Sequence, residues 1–209
     1  MEIEEILKHN KKVYDQLSSE YESRIQPNTK ITNEILPRIL RKFRSKNKDF
    51  LDMGCAVGLH MKMFENLGFK TTGVDISRKM INYAKKRNPG SKVILGDFLK
   101  IKFNKKFDFI LSLAFIHLYP KKGVGKVFLK INSLLTSEGI CVITTTKHSK
   151  GKEGFFKKRD YLSSPKRFRK KWTKAELLRE LKNNFEILDY FEKRDLFKKN
   201  WMIFVLGKK

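Results

Sequence analysis

The sequence predicts a doubly wound α/β fold: from Phe50 onward, short apolar runs alternate with stretches of helical periodicity, the pattern of parallel βαβ units. These runs are continuously apolar rather than alternating, as strands covered on both faces must be. Near the end of the chain, "FEILDYFEK" and "NWMIFVLGKK" are separated by only a short charged linker around Arg194 to Asn200. A parallel crossover needs a dozen or more residues, so this pair reads as an antiparallel edge on a mostly parallel sheet.

In chain order, residues 1–48 read as an N-terminal helical cap. "ILKHNKKVYDQLSSEYESRI" carries apolar residues at helical spacing and Pro27 closes it, with a second helix near Thr32 to Arg44. Residues 49–146 hold the alternating core. It comprises "DFLDMG", a helix around His60 to Leu67, "KTTGVDI", a helix around Ser77 to Arg87, "KVILGDF", "FDFILSLAF", a helix around Lys122 to Leu135 and "GICVITTT". Residues 147–174 form a basic insertion with twelve Lys and Arg against Glu153 and Asp160. Residues 175–209 supply a last helix and the two final strands. "TKAE" places Thr173 as an N-cap with Glu176 three residues on, a capping box that makes Trp172 an anchor at its start.

The 209 residues, 40% of them hydrophobic, suffice for one well-buried core and a single domain over residues 1–209. No run approaches the roughly 20 apolar residues of a membrane span, and the acidic start "MEIEEILKHN" lacks the layout of a signal peptide. A cytoplasmic protein without a membrane partner is the expectation. Cys55 and Cys141 are the two cysteines; they provide neither a disulfide framework nor metal-ligand spacing, so no metal is expected. The net charge of +25 raises nucleic acid as a partner. Lys outnumbers Arg about threefold on this chain, however, whereas Arg is the better residue for bidentate phosphate recognition.

The informative stretch is "LDMGCAVGLH", residues 51–60. It occupies the first βα turn, which in open α/β sheets borders the ligand crevice. A dinucleotide fingerprint starting at Gly54 needs glycine at the position of Leu59, which disfavours a dehydrogenase. The spacing acidic-x-Gly-x-Gly-x-Gly is instead met by Asp52, Gly54 and Gly58, with Ala56 as the one departure. If Ala56 has negative φ its methyl is harmless; with positive φ it costs on the order of 1 kcal/mol.

That pattern resembles the first motif of the class I S-adenosylmethionine-dependent methyltransferases, and the resemblance continues through "GVDIS", "LGDFL", "FDFILSLAFIHLYP" and "LLTSEGICVITT". It implies a Rossmann-like sheet that binds S-adenosylmethionine. Asp52, Gly54, Cys55, Ala56 and Gly58 would form the first turn, with Asp52 near the cofactor's amino group. Asp75, with Ile76 beside it, would grip the ribose hydroxyls. Asp97 would meet the adenine amino group with Phe98 against the ring, and Leu113 would underlie the methionine portion. Tyr14 and Tyr21, seven residues apart and on one helical face, would close over the cofactor as related N-terminal helices do.

His117 follows the fourth strand, and imidazole as a group can exchange a proton under physiological conditions; it is the candidate catalytic base, with Tyr119 beside it in an acceptor pocket. His60, at the start of the first crossover helix, reads as structural. In the insertion, aromatics interleave with cations, and Arg159, Tyr161, Arg167 and Arg169 are candidates to bind the acceptor through a carboxylate or phosphate. The leading expectation is methyl transfer to a small, acidic metabolite or natural-product intermediate. The alternative is a tRNA nucleoside methyltransferase, because "SLAFIHLYP" is similar to the fourth-strand stretch of wobble-uridine enzymes and the basic charge suits RNA. A noncatalytic cofactor-binding partner ranks last. The acceptor atom and the oligomeric state are not set by the sequence.

Overall fold

The computed structural model describes residues 2–157 and 165–209, and of residues 25–29 the backbone alone. Two helices come first, α1 (Ile3–Glu22) and α2 (Ile25–Leu40). Glu2 and Glu5 form a capping box at the start of α1. Pro27 does not close a helix as the sequence suggested: α1 has already ended at Glu22, and Pro27 falls in the first turn of α2. Proline is tolerated there, where a backbone N–H has no helical acceptor to reach.

The core contains β1 (Asp49–Met53), α3 (Leu59–Asn66), β2 (Lys70–Asp75), α4 (Arg78–Arg87), β3 (Lys92–Leu95), β4 (Phe107–Leu113), α5 (Lys121–Leu134) and β5 (Leu135–Thr146). After it come β6 (Lys152–Lys157), β7 (Lys166–Lys171), α6 (Lys174–Lys182), β8 (Phe185–Arg194) and β9 (Asn200–Lys208). Seven strands form one sheet in the order β3-β2-β1-β4-β5-β9-β8. The first five pair in parallel; β9 pairs antiparallel with both β5 and β8. The strand order reverses between β1 and β4, and such a switch point opens a crevice beyond the carboxyl ends of the strands. The continuous run "MIFVL" is explained by the place of β9, inserted between β5 and β8 with both faces covered, while β8 takes the edge.

Apolar clusters cover both faces. On one, α5 and α6 bury Val127, Phe128, Leu177 and Leu181 against Leu51, Ile110 and Phe204. On the other, Ile35 and Ile39 of α2 meet an aromatic cluster. Phe50 stacks on Phe64 with ring centroids 4.0 Å apart, and Phe109 lies 4.7 Å from Phe64. Buried Asp108 ties the lower end of the sheet together: it accepts hydrogen bonds from Ser45 Oγ (2.8 Å), Asp49 N (3.0 Å) and Thr136 Oγ1 (3.1 Å).

The basic insertion contains regular structure that its composition concealed. β6 and β7 pair antiparallel, with Phe155 opposite Phe168. Charged residues occupy inward positions of this hairpin: Arg167 and Lys170 are buried beside Phe168, so the strand carries no apolar alternation. Lys170 is satisfied by Glu176 at 3.1 Å. Glu176 also completes the capping box with Thr173, and Trp172 is fully buried ahead of the helix.

Removing the ring at the centre of the aromatic cluster leaves a cavity that close-packed neighbours cannot fill. Phe109→Ala should lower unfolding free energy by about 3–5 kcal/mol, read as a fall in the urea midpoint with an unchanged slope.

Candidate active site

A cavity of about 920 Å³ lies over the carboxyl ends of β1 to β5, at the strand-order reversal. Its floor is the turn between β1 and α3. Gly54 and Gly58 have φ of 71° and 77°, conformations that favour glycine. Space is also lacking: a Cβ on Gly54 would stand 2.6 Å from the Phe115 ring, and one on Gly58 2.4 Å from Asn88 Nδ2. Ala56 takes the strained alternative, with φ of 47°. What holds it there is a hydrogen bond from its N–H to Asp75 Oδ2 at 3.0 Å. Ala114, after β4, has φ of 53° and also faces the cavity.

Two carboxylates at the ends of neighbouring strands dominate the electrostatics. Asp75 accepts the N–H groups of Ala56 and of Ser77 (2.8 Å); burial pushes it up to about 6 even though these donors oppose the shift. Asp52, at 2% exposure, has no comparable help, and among the described residues its Oδ2 is buried without a hydrogen-bond partner. Burial, reinforced by the charge on Asp75, pushes Asp52 up to about 8. A buried oxygen left unpaired on a cavity wall marks the place where a donor or cation on a ligand would be stabilised.

The remaining floor residues converge as the motif spacing implied. Ile76, Asp97, Phe98 and Leu113 line the cavity, as does Cys55. Asp97 accepts the Leu99 N–H at 2.9 Å and the Tyr119 hydroxyl at 3.4 Å; burial and the nearby Asp97 charge hold the Tyr119 phenol well above its usual range. Tyr119 lines the cavity with its hydroxyl directed at Asp97. Lys130 braces this loop by donating to the carbonyls of Leu99 (2.9 Å) and Ile101 (2.5 Å), a contribution that no sequence motif marks.

The roof comes from α1 and the insertion. Tyr14 and Tyr21 face the cavity with ring centroids 6.1 Å apart. Asp15 anchors α1 by accepting from Ser77 Oγ (2.6 Å) and the Lys79 N–H (3.2 Å) at the start of α4. On its other side, Asn10 Oδ1 accepts the Phe168 N–H of β7 at 2.9 Å. Arg87 bridges floor and roof, reaching the Val57 carbonyl and Glu22 of α1.

The candidates from the insertion separate. Arg169 lines the cavity. Arg167 is fully buried, with its guanidinium carbon 6.0 Å from the Tyr14 ring, and does not line it. Arg159 and Tyr161 lie outside the described residues. His117 is buried behind Arg169: its Nδ1 lies 3.2 Å from Thr145 Oγ1 and its Nε2 2.7 Å from an Arg169 NH1 donor. An arginine only donates, so Nε2 is the acceptor of that bond, and its lone pair is directed at Arg169 rather than at the cavity. His60 lines the cavity within 3.0 Å of Thr32 Oγ1. The turn between β8 and β9, absent from the expected site, supplies a further wall through Arg194, Leu196, Phe197 and Trp201.

Comparison with known proteins agrees with this geometry. Residues 51–143 match the methyltransferase domain family. The match runs from β1 into β5, the part of the chain that floors the cavity. An uncharacterized methyltransferase of Alkaliphilus oremlandii is 33% identical over 97 residues, which is 46% of this chain and 44% of that protein. The dTDP-3-amino-3,4,6-trideoxy-alpha-D-glucopyranose N,N-dimethyltransferase of Streptomyces venezuelae is 27% identical over 75 residues, 36% of this chain and 32% of that one. This chain thus aligns with less than half the length of these curated relatives. A crystal structure of an S-adenosylmethionine-dependent methyltransferase from Clostridium acetobutylicum shares the fold, with a TM-score of 0.69, 15% identity and coverage of 93% of this chain and 98% of that one.

Two outcomes follow from the floor of the cavity. Folded Asp52 and Asp75 hold protons that the unfolded chain releases near pH 3.8. Their contribution to stability is therefore complete below that pH and is lost as pH rises through about 6 and about 8. Thermal unfolding of the ligand-free protein should fall in midpoint over this window, and Asp52→Asn should flatten the slope, matching the parent near pH 4 and exceeding it at pH 8. At the strained turn, Ala56→Gly should stabilise by about 1 kcal/mol, a rise in melting temperature of about 2–4 °C.

Proposed function

We propose that this protein transfers a methyl group from S-adenosylmethionine to a small acidic acceptor in the cytoplasm. The observation that carries the acceptor class is Arg169. Among the described residues its Nε is buried without a hydrogen-bond partner, while one terminal nitrogen is held by His117 and the side chain faces the cavity. A buried, unpaired guanidinium N–H is costly, and a carboxylate or phosphate on the acceptor offsets that cost through a charge-assisted hydrogen bond. His117 then acts as a positioning residue that orients Arg169.

The floor residues fit the cofactor. Asp52 has an unpaired carboxyl oxygen for its ammonium group, Asp75 keeps lone pairs for ribose hydroxyls, and Asp97 with Phe98 forms the adenine end. Bound there, the cofactor supplies an activated methyl group on sulfur, and the chain aligns it with the acceptor and excludes water. At about 920 Å³ the cavity reaches the upper part of the range for small-molecule sites, roughly 300–1,000 Å³, which leaves room for an acceptor beside the cofactor.

The test incubates the protein with methyl-labelled S-adenosylmethionine and a cell extract. Label is expected in the low-mass fraction and not in RNase-sensitive polymer; the reverse would make the acceptor RNA. Arg169→Met should abolish the low-mass label while leaving S-adenosylhomocysteine affinity within about twofold. Asp75→Ala should instead weaken that affinity at least about tenfold in calorimetry, and an unchanged affinity would remove Asp75 from the cofactor site.

A further inference from the structure

The turn joining β8 to β9 places two consecutive apolar side chains at the cavity, Leu196 and Phe197, and leaves them 63% and 62% exposed. They are not there by default of a loose loop. Asp195 organises the turn: its Oδ1 accepts the N–H groups of Phe197 (2.9 Å) and Lys199 (2.8 Å), and its Oδ2 accepts Trp201 Nε1 at 2.8 Å. Asp195 and Lys199 also pair through their backbones at 2.9 Å, and Lys198 adopts a left-handed φ of 60° to close the turn. A backbone held this firmly presents Leu196 and Phe197 as a preformed surface, which lowers the ordering cost of binding against it.

The surroundings indicate what that surface receives. Arg194 and Lys199 line the cavity beside it, with Lys199 Nζ 5.3 Å from the Phe197 ring centroid. Arg169 stands on the roof of the same cavity. An apolar shelf and a cationic wall in one cavity match a molecule that carries an anionic group and an apolar arm together.

Resting on the methyltransferase reading above, we infer that the acceptor is an amphipathic acid whose aryl or acyl arm lies on Leu196 and Phe197 while its acidic group meets Arg169. The β8–β9 turn is then the specificity element of the site. A longer apolar arm binds better for as long as it covers the exposed ring, whereas a short polar acid gains nothing from the turn.

The experiment uses the full chain saturated with S-adenosylhomocysteine, with butanoate and 4-phenylbutanoate as probes in ligand-detected NMR titrations. 4-Phenylbutanoate should bind at least about tenfold more tightly than butanoate, and the double variant Leu196→Ser, Phe197→Ser should reduce that ratio to within about threefold. Because both side chains are exposed, the variant should keep its melting temperature and its S-adenosylhomocysteine affinity; Phe197→Tyr should restore the preference. A preference that survives in the double variant, or no binding of either acid to the saturated protein, would overturn the inference. So would binding to anionic phospholipid vesicles that the double variant abolishes, since the turn would then be a membrane wedge. Failure of S-adenosylhomocysteine itself to bind is the separate result that would remove the methyltransferase reading.

Discussion

The structure depends on one contact at the end of its second strand. Asp75 is buried at a cost, yet its two oxygens accept N–H groups from Ala56 and Ser77, joining the β1–α3 turn to the start of α4. Without that anion, Ala56 would lose the hydrogen bond that holds it at a φ of 47°, and the turn that floors the cavity would relax. Asp52 stands beside it on the neighbouring strand without a partner for Oδ2. The ligand-free protein therefore keeps a buried, unsatisfied carboxyl oxygen where a cationic or hydroxyl-rich ligand would bind, in keeping with the strain that functional sites retain.

A second set of contacts converts this floor into an enclosed site. The same α4 terminus that Asp75 braces also receives Asp15 from α1, so floor and roof share one anchor. From the other side, β7 holds α1 through Asn10 and sends Arg169 into the cavity, backed by His117 and, through it, Thr145 of β5. The basic insertion is thus not only a solvated charged segment. Part of its charge is buried and directed, which accounts for Arg167 and Lys170 occupying inward positions of a short hairpin.

The strand-end floor of the cavity was legible in the sequence because it is local. Asp52, Gly54, Gly58, Asp75 and Asp97 sit at strand ends or in the turns that follow, where alternating apolar runs and glycine spacing place them without knowledge of distant contacts. The rest of the cavity wall was less legible. Arg169 and Arg167 looked equivalent by composition and share one face of β7, but two positions along the strand separate the cavity from the space beside Tyr14. Leu196 and Phe197 carried no signal in a short charged linker, and Lys130 acquires its bracing role only when α5 folds against the loop after β3.

By itself the sequence determined the strand order's ingredients, the antiparallel end and the glycine turn after β1, since burial on both faces of a parallel sheet demands continuous apolar runs and a tight turn demands glycine. Only the tertiary structure decided the sign of φ at Ala56, the pairing of His117 with Arg169, and the union of α1, β7 and the β8–β9 turn over one cavity. The physical reason is range: periodicity and turn chemistry act over a few residues, whereas hydrogen bonds such as Asn10 to Phe168, 158 positions apart, exist only after the chain has brought its ends together.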